Sequence, residues 1–213
     1  MNQAFSWAAA GTGFTFLMTA LGASVVFIFK KDMGKNVQRA FLGFAAGVMM
    51  AASVWSLLIP AIDEAGEAGG IAWIPAAGGF VIGGLFLYLL DFLMPHVHLG
   101  EKRPEGVRTS FHRTTLLVLA VTLHNIPEGM AVGLAFAMAA QHPEDPALYA
   151  VAFALALGIG IQNFPEGAAI SLPLRQEGMS RMRAFVLGSL SGLVELVFGV
   201  GITLIALRIA PYM

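Results

Sequence analysis

Two six-residue segments carry most of the side chains here that could do chemistry. They are His124-Asn125-Ile126-Pro127-Glu128-Gly129 and, 38 residues on, Gln162-Asn163-Phe164-Pro165-Glu166-Gly167. Residues four apart stack on one helix face, so His124 neighbours Glu128 and Gln162 neighbours Glu166. Asn125 and Asn163 then sit about 100° round the helix, at the margin of each strip. Imidazole, carboxylate and amide groups with no Lys or Arg at the same depth make a seat for a cation. Carboxylate can bridge two metals, and imidazole suits zinc and iron. Pro127 and Pro165 lack an N–H, which leaves the carbonyls of Leu123 and Ile161 without their helical donors. Such backbone is tolerated inside a bilayer only where protein or a water-filled cavity satisfies it, and transporters place ion sites at interrupted helices. Gly129 and Gly167 follow each carboxylate and admit a close neighbour.

A third acid, Glu195, lies in another apolar run, Ser-Gly-Leu-Val-Glu-Leu-Val-Phe, with no basic partner in view. A carboxylate in such a run is costly and marks a functional position by default. The plain alternatives are a protonated Glu195 bonded to a neighbouring helix and a His124 that only packs. The repeated Asn-x-Pro-Glu-Gly wording argues for a shared task instead. Asp91, His96 and His98 form a second cluster, in which the His-x-His pair either shares a metal or simply sits at the interface. Met49, Ser53 and Ser56 are placed either to line a path or to pack, and Asp63 and Glu64 close their helix.

The elements that must position these groups are membrane helices. The chain has 213 residues, 57% hydrophobic and 12% charged, against about 25% charged in soluble domains. A span needs about 20 apolar residues, and six fit: roughly 6–29, 38–60, 71–94, 114–140, 148–173 and 184–207. The expectation is an all-α polytopic bundle forming one transmembrane domain over 1–213. The first stretch has no basic n-region and reads as a true span, not a cleaved leader. With no cysteine there is neither a disulfide nor a thiolate site. Eleven of the 12 Lys and Arg residues fall on one side, ten in the breaks after spans one, three and five and Arg39 at the start of span two. The positive-inside rule makes those breaks cytoplasmic and the N-terminus external. The opposite breaks carry Asp63, Glu64, Glu67, Glu144 and Asp145, which either gather cations or are merely solvated. Gly43/Gly47, Gly79/Gly83, Gly129/Gly133 and Gly188/Gly192 have the spacing of close helix crossings.

On the two motifs, Glu195 and Leu42-Gly43-Phe44-Ala45-Ala46-Gly47-Val48-Met49-Met50, the whole chain resembles the ZIP family of divalent-metal transporters, and its bacterial GufA-type branch most. The resemblance implies a binuclear site between the fourth and fifth spans. His124, Glu128, Gln162, Glu166 and Met49 would hold the transported metal. Asn125, Asn163 and Glu195 would build the adjoining site, with Glu128 and Glu166 bridging. Asp91, His96 and His98 match a cytoplasmic release route, and Ser56 and Asp63 an extracellular entrance. Zn²⁺ is the implied cargo, with Fe²⁺, Mn²⁺ or Cd²⁺ as others, moved by alternating access into the cytoplasm across the inner membrane. Homodimers are common in the family. Its eight-span pattern implies two further helices beyond the six seen here. No catalytic residue, catalytic cofactor or nucleic-acid partner is expected. Two other functions fit the same residues: an intramembrane metal-dependent hydrolase, disfavoured by the lack of a His-Glu-x-x-His pair, and a non-transporting metal sensor or subunit.

Overall fold

A computed structural model describes residues 2–28, 35–67, 69–93 and 113–209. All regular structure among them is helical. Helix α1 (Asn2–Ala23) runs into a 3₁₀ turn, Ser24–Phe27. Helix α2 (Lys35–Ala51) passes through a π turn, Ala52–Leu58, into α3 (Ile59–Glu67). Then follow α4 (Trp73–Leu93), α5 (Arg113–Gln141), α6 (Pro146–Gln176) and α7 (Arg181–Ile209). Five stretches are long and apolar enough to cross a bilayer: Ala4–Phe27, Gly43–Glu67, Thr115–Gln141, Pro146–Gln176 and Arg181–Ile209. The third expected span is carried by α4, whose described apolar part, Trp73–Leu89, is shorter.

The second span differs from the expected 38–60. Its helix continues past Asp63 and Glu64 to Glu67 and stops only where Gly69 adopts a left-handed φ of 76°. Pro60 does not end it. A proline ring crowds the carbonyl four residues back and offers that carbonyl no N–H. Ser56 is that residue, and it lies inside the π turn, where the wider coil accommodates the defect.

The bundle centre is built from α1, α5, α6 and α7. Helix α1 turns a stripe of small and hydroxyl side chains inward, Ala4, Ala8, Thr12, Thr15, Thr19 and Ala23, while Phe5, Trp7, Leu17 and Leu21 face out. Apolar matter on both sides removes the usual reason to bury large side chains, so small residues line the crossings. Each threonine satisfies its hydroxyl on its own helix, as in Thr12 to the Ala8 carbonyl at 2.7 Å. Helix α7 buries Gly188, Ser191, Gly192, Glu195, Gly199 and Thr203 in the same way. Two of the four glycine pairs make the close crossings expected of them. A Cβ on Gly129 would strike the Glu195 backbone and one on Gly133 the Gly199 backbone, while Gly188 and Gly192 meet Ala23 and Thr19. Around Gly43, Gly47, Gly79 and Gly83 a Cβ would meet nothing among the described residues. The spacing permits a crossing but does not demand one.

Two apolar clusters sit one above the other. One joins Ala8, Val132, Phe136, Ala152, Leu155 and Ile159. The other joins Val25, Val26, Ala168, Ile170, Leu172, Leu174 and Ala184. The motif residues lie on the helical segments between them. Helix α2 and the π turn lean on α6, and α3 contacts the π turn and α4. Of the described α4 side chains only Ala76 is buried. An apolar helix exposed on all sides suits lipid.

Candidate metal centre

The site starts from a backbone approach. With hydrogen alone at Gly129, α5 comes against α7 at Glu195. Gly167 does the same for α6 against α1, where a Cβ would strike the Thr19 carbonyl. These two crossings bring the motif faces of α5 and α6 to Glu195 of α7 and to Thr15 and Thr19 of α1. Both motif helices run straight through their prolines, so Pro127 and Pro165 lie within continuous α5 and α6.

Three sets of side chains result. On the first, His124 Nε2 stands 3.5 Å from Glu128 Oε1, one turn along α5. Gln162 of α6 donates its amide to the same Glu128 oxygen at 2.6 Å. Zinc bonds of about 2.0–2.2 Å at a tetrahedral angle would hold two ligand atoms about 3.4 Å apart. The His124–Glu128 separation fits that edge and is long for a hydrogen bond. The imidazole is 50% exposed whereas Glu128 is 8% exposed, so one donor faces outward and the other inward.

On the second set, Asn163 donates to both oxygens of Glu195 at 2.8 Å and to the Thr15 carbonyl at 3.3 Å. The hydroxyls of Thr15 and Thr19 flank the same carboxylate. On the third, Asn125 donates to the Ser191 carbonyl at 3.1 Å, and its side chain lies against Glu166. Glu128, Glu166 and Glu195 are near enough to repel one another.

A single pattern runs through all three sets. Asn125 Oδ1, Glu128 Oε2, Gln162 Oε1, Asn163 Oδ1 and Glu166 Oε1 are buried and have no hydrogen-bond donor. A buried acceptor left unpaired costs about 1–3 kcal/mol. Five acceptors, all from the two motifs, form a set that hydrogen bonds do not satisfy and a cation would. Among the described residues no three His, Asp or Glu side chains converge as one ligand sphere. The donors are instead a mixture of single carboxylates, amide oxygens and one imidazole.

The structure thus gathers His124, Asn125, Glu128, Gln162, Asn163, Glu166 and Glu195 around the α5–α6–α7 contact. Met49 is half-buried on α2, and Ser56 half-buried in the π turn. Ser53 spends its hydroxyl on the Met49 carbonyl at 2.8 Å. Asp63 is exposed near the end of α3. Asp91 lies on α4 with its side chain outside the described residues, as are His96 and His98 altogether. Sequence reasoning missed Thr15, Thr19 and Ser191. Their signal was present: Thr12, Thr15 and Thr19 share a face with Ala4, Ala8 and Ala23, a polar stripe among small residues in an otherwise apolar helix.

No protein-family model matches the chain. Individual relatives do. The human protein named "Zinc transporter ZIP11" is 37% identical over 283 aligned positions, covering 95% of this chain and 82% of the relative. "Zinc transporter GufA" of Myxococcus xanthus is 38% identical over 180 positions, 83% of this chain and 67% of the relative. "Zinc transporter ZupT" of Salmonella paratyphi A is 35% identical over 194 positions, 86% of this chain and 70% of the relative.

Proposed function

The chain belongs to the ZIP family of zinc transporters, and from that premise we propose that it carries Zn²⁺ into the cytoplasm through the seat between α5 and α6. It is a multi-pass membrane protein that transports zinc. The observation that carries the mechanism is the set of five buried oxygens without donors.

Zn²⁺ is the substrate. His124 and Glu128 take it first, since the imidazole is half-exposed on the bundle and the carboxylate beside it is buried. Gln162 holds the Glu128 carboxylate in place through its N–H and leaves its own oxygen for the metal. Asn163 does the same for Glu195 and leaves its own oxygen unpaired. Glu128 and Glu166 bridge this seat to a second one made with Asn125, Asn163 and Glu195. Mutual repulsion of three carboxylates makes the pair of seats attractive to divalent charge, because the cation relieves it. Met49 completes the first seat from α2. Asp63 and Ser56 lie on the way in, and Asp91, His96 and His98 on the way out. Alternating access then requires the apolar cluster on one side of the belt, and next the one on the other, to part. Fe²⁺, Mn²⁺ and Cd²⁺ suit the same donors. The protein acts as a carrier with no catalytic residue, in the inner membrane, as a homodimer.

Uptake of Zn²⁺ into proteoliposomes containing a zinc-sensitive dye tests the proposal. Saturable uptake by the unaltered chain that Glu128→Ala removes is the expected result. Equal uptake by Glu128→Ala would place the route elsewhere.

A further inference from the structure

The turn between α5 and α6 holds a group that the central seat does not use. His142-Pro143-Glu144-Asp145 closes on a hydrogen bond from the Asp145 N–H to the His142 carbonyl, 3.0 Å. A proline in the second position presets such a turn. Asp145 then caps α6, its Oδ1 accepting from the Ala147 N–H at 2.9 Å. Asp145 is thereby occupied, and the turn is rigid where it presents His142. The ring faces a carboxylate at each nitrogen. Nδ1 lies 3.2 Å from Glu144 Oε1, and Nε2 lies 3.4 Å from Glu64 Oε2, across on α3.

We infer that His142 Nε2 and Glu64 form a second, peripheral binding site for a zinc-like divalent ion, with Glu144 orienting the imidazole. A metal-bound histidine usually donates its other N–H to a carboxylate, which sets the tautomer and strengthens the ligand nitrogen. Glu144 at Nδ1 is in that position. The remaining 3.4 Å between Nε2 and Glu64 is the separation of two ligands on tetrahedral zinc, about 3.4 Å by the same bond lengths as in the central seat. Imidazole selects zinc-like ions over Mg²⁺ or Ca²⁺, which prefer oxygen. His142, Glu64 and Glu144 side chains are 32%, 53% and 70% exposed, so water fills the other positions and exchange is fast. That suits capture and hand-over more than storage. Its use as a loading point for the central seat rests on the transport proposal; the site itself does not.

Carbethoxylation of His142, read on its own proteolytic peptide from the full chain in detergent, tests the inference. Zn²⁺ should slow modification of His142 severalfold, and Mg²⁺ should not. Glu64→Gln should abolish that protection, and Glu144→Gln should raise the half-protecting Zn²⁺ concentration about tenfold or more. Protection should persist when Glu128→Ala and Glu166→Ala are combined, because the central ligands play no part in it. The unaltered chain gives the same peptide-level readout should that double variant fail to fold. Equal modification with and without Zn²⁺, or protection that survives Glu64→Gln, would overturn the site and leave the transport proposal untouched.

Discussion

Each amide in the two motifs is committed in one way, its nitrogen to a neighbour and its oxygen to none. Asn125, Gln162 and Asn163 could each have turned round and offered N–H groups to the shared space. They do not, because Ser191 O, Glu128 and Glu195 claim those donors. Glu128→Ala and Glu166→Ala should therefore abolish saturable uptake while leaving a folded protein. Removing one of three mutually repelling acids should hold or raise the metal-free melting temperature. The Zn²⁺-induced rise should vanish, since a ligand stabilises only through its affinity for the folded state. Thermal melts with and without Zn²⁺ decide this, and a full Zn²⁺ shift in Glu166→Ala would remove the motif as principal seat. Asn163→Leu acts differently. It strips Glu195 of a donor to both oxygens, at a cost of about 1–3 kcal/mol. The metal-free melt should fall, in contrast to the two alanine variants. Glu195→Gln should damage uptake less than Glu128→Ala, because it leaves His124, Glu128 and Gln162 intact.

At the scale of elements, the positions of helices follow from where side chains are missing. Gly129 and Gly133 let α5 lie on α7, and Thr203 then reaches across to the Gly133 carbonyl at 2.9 Å. Gly22 and Gly167 do the corresponding work between α1 and α6, against Phe164 and Thr19. The obstacles at these glycines are backbone atoms, which cannot rotate away. Gly129→Ala should thus push α5 off Glu195 and destabilise the fold by about 1–3 kcal/mol or more. Gly83→Ala, with nothing within reach of its Cβ among the described residues, should be neutral or slightly stabilising, since alanine is the better helix former. Paired melts in detergent compare them directly, and equal losses would mean that the α5–α7 crossing yields more easily than its backbone contacts indicate.

The whole molecule has two unlike ends. At one, Arg181 donates to the Phe27 carbonyl at 3.4 Å, tying the α6–α7 turn to the end of α1. At the other, Glu64 of α3 meets His142 of the α5–α6 turn. Arg175 and Arg181 belong with the first end and Glu64 and Glu144 with the second, and the positive-inside rule predicts that the first end faces the cytoplasm. The chain has no cysteine, so single cysteines report sidedness without background. Those replacing Lys102 or Arg181 should be labelled from the cytoplasm only, and those replacing Glu67 or Glu144 from outside only. Labelling of the Lys102 position from outside would reverse the orientation.

The membrane class, the helical periods and the stacking of motif side chains along one helix were legible in the sequence, because each depends on composition or on spacing within one helix. His124 and Glu128 are neighbours in any helix that contains them. The ends of helices were less legible: α3 passes Pro60 and Asp63 because a π turn absorbs the proline, and no local spacing announces that. Tertiary structure alone decided that Asn163 of α6 reaches Glu195 of α7 and Thr15 of α1, and that His142 reaches Glu64. Such pairings depend on how each helix is rotated about its axis. That rotation is settled by which small residues find a backbone to lie against, as Gly129 and Gly167 do and Gly43 and Gly83 do not among the described residues. Spacing places a glycine on a face, but only the packed bundle says what lies opposite.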